Sequence, residues 1–159
     1  IEGSWLLHQA AEALGEPTVL ESTVSLSLEI AQAVYEKGID ARLGLIYESD
    51  GDGRLNREMH FWCQAEAVVG FINAFQLDGR DYFLETARKI WQFIEAYQID
   101  KQHGEWFWKV DADGRPDDAM PKISEWKCPY HNSRACIETI QRLTALLQQP
   151  LEKEQTTTR

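Results

Sequence analysis

The chain has 159 residues, 43% hydrophobic and 26% charged, enough for one globular unit with a real core. Its 26 Asp and Glu against 16 Lys and Arg give a net charge of -10, which repels phosphate backbones and anionic lipid, and no apolar run approaches the roughly 20 residues of a membrane span, so nucleic acid and membrane are set aside as partners. Cys63, Cys128 and Cys136 have no CxxC spacing, so free thiols in a reducing, cytoplasmic compartment are expected.

Five segments repeat apolar residues at helical spacing. The first, 3–14, begins at Trp5 and Leu6 with no Ser, Thr, Asp or Asn to cap it, which predicts a chain cut upstream. After the break Gly15-Glu16-Pro17, the second spans 22–38 and carries Leu28, Ala31, Val34 and Tyr35. The third spans 62–77, with Ala65, Val68, Val69, Ile72 and Phe75. The fourth spans 81–98, with Phe83, Ala87, Ile90, Trp91 and Ile94. The fifth spans 132–148, with Ala135, Cys136, Ile140, Leu143 and Leu147. The last ten residues, 150–159, are polar and aperiodic, and a flexible tail is expected there.

Two stretches between the helices match each other. Leu45-Ile46-Tyr47-Glu48-Ser49 runs into Asp50-Gly51-Asp52-Gly53-Arg54, and Trp106-Phe107-Trp108-Lys109-Val110 runs into Asp111-Ala112-Asp113-Gly114-Arg115. Each reads as a hairpin turn, and 111 − 50 places them 61 residues apart. A tryptophan, Trp62 or Trp126, follows each at what reads as a helix entry. The unit is thus two helices plus a hairpin, stacked twice, with the hairpins gathered at one end. A calcium loop is the rival reading of Asp50-Gly51-Asp52-Gly53, and Arg54 and Leu55 break its ligand spacing.

The stretch richest in chemistry is Trp126-Lys127-Cys128-Pro129-Tyr130-His131-Asn132-Ser133-Arg134. Pro129 presets a turn, and His131 sits near the first turn of the following helix, where a neutral imidazole can take a proton near pH 7. Trp126 offers an indole face on which a sugar or another flat apolar face can stack. The alternative is a capping histidine beside a packed tryptophan. His8 reads as structural or surface, His103 as an exposed loop residue, and His60 as a neighbour of the site. No histidine pair has zinc spacing and no phosphate loop or nucleophile elbow occurs, so neither metal nor cofactor is expected. Glu2, Glu66 and Glu105 are the acidic candidates; Glu66 follows Trp62 by four residues on one helical face. Each could orient a sugar hydroxyl or be buried against backbone or arginine.

Phe61-Trp62-Cys63-Gln64-Ala65-Glu66-Ala67, Gly104-Glu105-Trp106-Phe107-Trp108 and the His131 stretch, in this order, resemble the N-acylglucosamine 2-epimerase superfamily, with Ile1-Glu2-Gly3-Ser4-Trp5-Leu6-Leu7 a fourth point of likeness. The resemblance implies an all-α fold, with residues 1–149 the C-terminal part of an (α/α)6 barrel of about twice this length. It implies a sugar 2-epimerase that interconverts glucose and mannose at the reducing end of a β-1,4-linked, cellobiose-like disaccharide, through an enediolate and two histidines. His131 resembles one of these histidines. Trp62 and Trp126 resemble stacking aromatics, and Glu2 resembles the carboxylate beside the other histidine, which should stand just before Ile1. Phe61 departs from the pattern, where a second tryptophan is usual. The partners implied are the sugar and either the missing N-terminal half or a second copy of the chain. An aldose–ketose isomerase or a monosaccharide epimerase is a near neighbour. An α/α-toroid glycosidase using Glu66 and Glu105, and a non-catalytic sugar-binding module, are the readings from other classes.

Overall fold

The computed structural model describes residues 1–42 and 44–148, so the expected tail at 150–159 lies outside the described residues. Helix α1 (Glu2–Leu14) stops at Gly15, whose φ of 73° lets its N–H reach back to the carbonyl of Ala11. Helix α2 (Pro17–Lys37) starts five residues before the expected 22. Pro17 occupies its first position, where a preset φ and a missing N–H cost nothing, so this proline opens a helix rather than extending the break. The α1–α2 hairpin closes tightly through small residues, with Ser27 Oγ donating to the Ser4 carbonyl at 2.6 Å.

Helix α3 (Phe61–Asp78) is the centre of the molecule, with 13 of its 18 residues buried. A helix apolar on most of its circumference must be surrounded. Helices α1, α2, α4 (Asp81–Phe93) and α5 (Tyr130–Gln148) all pack against it, and α1 and α5 also bond to each other through Gln9 with Glu138 and Glu2 with Arg134. Gly70 permits the close approach of α1, since a Cβ there would stand 2.5 Å from Cγ1 of Ile1. The segment expected as one helix over 81–98 divides. After Phe93 the backbone widens into a π turn, Ile94–Gln98, closed by Ile99 N–H to the Ile94 carbonyl at 3.0 Å. That turn carries the fully buried Gln98, whose Nε2 donates to the Phe107 carbonyl at 2.6 Å. A 3.6-residue period cannot announce an inserted residue, which is why the sequence reads as unbroken helix.

The repeated hairpins are the same turn built twice. Strands β1 (Glu48–Ser49) and β2 (Leu55–Asn56) pair antiparallel, and Asp50 Oδ1 accepts the N–H groups of Asp52 at 3.0 Å and Arg54 at 2.8 Å. In the second copy Asp111 Oδ1 accepts Asp113 at 2.8 Å and Arg115 at 2.9 Å. Gly53 and Gly114 both take the left-handed backbone this turn requires, at φ 79° and 81°. Strand β3 (Met59–His60) pairs antiparallel with β4 (Lys109–Val110), Met59 opposite Val110 and His60 opposite Lys109. That pairing binds the entry of α3 to the second hairpin, over a small core of Met59, Phe93 and Val110. The result is an all-α stack of helical hairpins with short β-hairpins at one end.

Candidate active site

Helices α1, α3 and α5 all begin at the hairpin end. Their first turns present Glu2, Phe61 with Trp62, and His131 to one cavity of about 400 Å³. Tyr47 and His60 from the first hairpin region, Trp108 from the second, and Trp126 from the loop before α5 complete its wall. A cavity of this size with aromatic walls and a few convergent polar groups suits a small polar molecule with apolar faces.

Beneath His131 lies the most enclosed charge of the site. Glu66 is 1% exposed and sits one turn below Trp62. Its Oε2 accepts Trp5 Nε1–H at 3.0 Å, and its Oε1 is 2.5 Å from Arg134 Nη2 and 2.7 Å from His131 Nδ1. The same Nη2 is 2.5 Å from Glu2 Oε1. The other two partners, Trp5 and Arg134, are donors, so Glu66 is placed as an acceptor, and the neutral imidazole tautomer that fits it carries its proton on Nδ1 with the Nε2 lone pair free. His131 and Arg134 are three residues apart on α5 and so reach the carboxylate together. The Arg134 guanidinium also lies 4.9 Å from the Trp5 ring. Ligand atoms of Glu2, Glu66 and His131 fall within 4.8 Å of one another, close enough to hold a cation. Arg134 already bridges both carboxylates and supplies the positive charge there.

Around His131 the rings are close: Trp62 at 5.8 Å and Phe61 at 6.2 Å between centroids. On the facing side, Tyr47 stacks on His60 at 4.0 Å, and Glu58 bonds His60 Nε2 at 3.2 Å and Lys109 Nζ at 2.7 Å. The Lys109 hydrogen bond holds the Glu58 carboxyl below its ordinary range, and burial pushes His60 below the usual imidazole value.

The structure brings together His131, Trp62, Trp126 and Glu2 along the cavity. Glu66 is corrected. Its oxygens are committed to Trp5, His131 and Arg134, and it does not line the cavity. Trp126 is corrected in setting, for it stands on a loop four residues before α5 rather than at the helix entry, and is 83% exposed. Pro129 ends that loop, and Tyr130 opens the helix. Glu105 lies away from the cavity, bonded to Lys127 and Asn132. His8 is buried against Asn73, and His103 is exposed. Sequence reasoning passed over Trp5, Tyr47, Trp108 and Arg134. For Arg134 the signal was present, three residues beyond His131.

A family model described as N-acylglucosamine 2-epimerase matches residues 1–135. The chain is 41% identical over 141 residues to the cellobiose 2-epimerase of Bacteroides fragilis, covering 88% of this chain and 36% of that enzyme. It is 37% identical over 144 residues to the cellobiose 2-epimerase of Dictyoglomus turgidum, covering 90% of this chain and 36% of that enzyme. The crystal structure of a sugar epimerase from a ruminal bacterium superposes with a TM-score of 0.85 at 37% identity, over 89% of this chain and 36% of the other. The chain therefore spans about a third of the length of the curated relatives it matches, and its helices form the C-terminal portion of an (α/α)6 barrel.

Proposed function

The chain belongs to the N-acylglucosamine 2-epimerase family, and from that premise we propose that it contributes one acid/base histidine and the stacking wall of a cytoplasmic sugar 2-epimerase acting on the reducing end of a β-1,4-linked disaccharide. The observation that carries this reading is the hydrogen bond from His131 Nδ1–H to Glu66, which leaves Nε2 as the free base beside Trp62. In the open-chain sugar the C1 carbonyl makes the C2 proton acidic. Nε2 takes that proton, and the C–H electron pair passes into an enediolate. A second acid on the opposite face returns a proton to C2 with inverted configuration, and the carbonyl reforms. No electrons leave the sugar, so the reaction calls on no redox cofactor. Glu66 and Arg134 hold the imidazole in the tautomer that can accept, and Glu66 stabilises the imidazolium that results. Trp62 and Trp126 stack on the sugar rings. Glu2, on the same wall, orients the second acid/base group.

Further helices are part of the same proposal. Leu7 and Leu14 on α1 and Ile137, Ile140 and Leu147 on α5 are exposed. Those faces cost about 25 cal/mol per Å² while wet, and the remainder of the barrel or a second copy of the chain would cover them. The glycosidase reading loses its pair of carboxylates, because Glu66 is taken by three donors and Glu105 by Lys127 and Asn132. The test is product analysis in the full-length protein. Cellobiose should yield glucosyl-mannose by NMR, and heavy water should label C2. His131→Ala should abolish that label; exchange at the parental rate would remove His131 from the mechanism.

A further inference from the structure

Lys127 is the least expected residue in the molecule. Its side chain is fully buried, and its Nζ bonds Glu105 Oε1 at 3.1 Å and the Lys122 carbonyl at 2.9 Å. The ammonium also lies 4.5 Å from the Phe61 ring centroid. A buried ammonium is costly to desolvate and is kept only where its partners are well placed. Glu105 Oε1 accepts a second bond, from Asn132 Nδ2 at 2.8 Å, and Asn132 is itself buried. Glu105 is also the one described non-glycine residue in left-handed backbone, at φ 61°. Such a conformation persists when the surroundings over-determine it. The loop around Lys127 is closed as well. Ser124 Oγ accepts the N–H groups of Trp126 at 3.2 Å and Lys127 at 3.1 Å, and Ser124 N–H donates to the Lys127 carbonyl at 2.8 Å.

The members of this cluster share a register with the cavity wall. Phe61 precedes Trp62, Lys127 follows Trp126, and Asn132 follows His131. Three wall residues from three separate segments are each one peptide bond from a group gathered on or over one ion pair, between the fully buried Lys127 and the partly exposed Glu105. We infer that Glu105, Lys127 and Asn132 are positioning residues, a clamp built around the buried ammonium of Lys127 that sets Trp126, Trp62 and His131 relative to one another. None of the three lines the cavity, so the clamp acts through the residues beside it. Trp126 is the most dependent, because its own side chain is exposed and only its backbone and its neighbour hold it. For catalysis this inference rests on the epimerase reading above. As a statement about the wall it does not.

The experiment compares Glu105→Gln and the double variant Glu105→Gln/Lys127→Met with the parent in the full-length protein. Three quantities are read: thermal midpoint, kcat and KM on cellobiose, and the sugar-free ¹⁹F resonance of 5-fluorotryptophan at Trp126, assigned with Trp126→Phe. The single change strands a buried cation and lowers the midpoint. The double change removes both charges and restores most of it. The clamp predicts that kcat stays about 10- to 100-fold low in the double variant, since displacement of about 1 Å costs that much. It also predicts a rise in KM and a Trp126 resonance moved or broadened in both variants. A purely structural pair predicts that kcat returns with the midpoint. That result, or a Trp126 resonance at the parental position, overturns the inference. If the parent itself shows no C2 exchange, the epimerase reading fails, and the fluorine spectrum alone still decides whether the clamp holds the wall.

Discussion

His131 and Glu66 stand 65 residues apart in the chain, and their side chains meet at 2.7 Å between Nδ1 and Oε1. The contact joins the first turn of α5 to the second turn of α3, and the site is organised around it. Three donors from two helices, Trp5 on α1 and His131 with Arg134 on α5, converge on one carboxylate of α3 that has almost no contact with water.

Glu66→Gln should therefore be far more damaging than its size indicates. A carboxamide has one acceptor oxygen. It satisfies either the Arg134 and His131 side or Trp5, and turns an N–H against the other. The imidazole loses its fixed tautomer, and kcat should fall about 10²- to 10⁴-fold with a smaller change in KM. Steady-state kinetics on cellobiose checks this, and a kcat within a few-fold of the parent would show that the contact does not prepare the base.

Trp126→Ala and Trp62→Ala should act on binding. An aromatic contact of this kind contributes about 0.5–1.5 kcal/mol beyond its buried area, so KM should rise roughly 2- to 10-fold or more for each. Trp62 also packs beside His131 at 5.8 Å, so its loss should lower kcat as well, while Trp126→Ala should spare it more. Equal effects of the two changes on kcat would contradict this division.

Gly70→Ala tests the approach of α1 to α3. In an open helix the change gains about 1 kcal/mol. Here the new Cβ would stand 2.5 Å from Ile1 Cγ1 and 3.2 Å from the Ile1 carbonyl oxygen. Overpacking costs about 1–3 kcal/mol, so the net effect should be a loss. Urea unfolding reads it, and a stabilised variant would mean that α1 does not press on this glycine.

Acid should loosen the hairpin end. The hydrogen bond from Lys122, with backbone N–H groups of His103 and Gln102, holds Asp100 down to about 2 from an ordinary 3.8, and Lys109 lowers Glu58. A carboxyl depressed in the folded state binds more protons when unfolded. Its contribution is present above the ordinary value and is lost as pH falls from about 4 towards 2. Asp100→Asn should reduce stability at pH 7 and flatten the decline over that window. Denaturant midpoints across pH 7 to 2.5 measure it, and an unchanged slope would sink the assignment.

The thiols should separate by burial. Burial pushes Cys63 up to about 12 and raises Cys136, whereas Cys128 is exposed. A disulfide reagent at pH 8 should modify Cys128 rapidly, Cys136 slowly and Cys63 only on unfolding. Peptide mapping distinguishes them, and early labelling of Cys63 would show that the α1–α3 contact opens readily.

Much of this architecture was legible before any coordinates. The cores of all five helices lie where apolar residues recur at 3.6-residue spacing. The two Asp-x-Asp-Gly-Arg turns are alike down to the carboxylate that accepts two backbone N–H groups. Those are local signals, carried by neighbours in the chain. The start of α2 at Pro17 and the π turn at Ile94–Gln98 were misread because one residue type serves both breaks and helix starts, and because an inserted residue leaves no periodic mark.

The chain alone specified the helices and the repeat, and its likeness to the family singled out His131, Trp62, Trp126 and Glu2, which line one cavity. Tertiary structure decided what each does there. It sank Glu66 beneath the wall, moved Trp126 onto a loop, joined Arg134 and Trp5 to the same carboxylate, and placed a buried lysine behind all of them. The physical reason is sequence distance. Periodicity and turn chemistry act over a few residues, whereas a hydrogen bond between positions 66 and 131 exists only after α1, α3 and α5 have packed and excluded water.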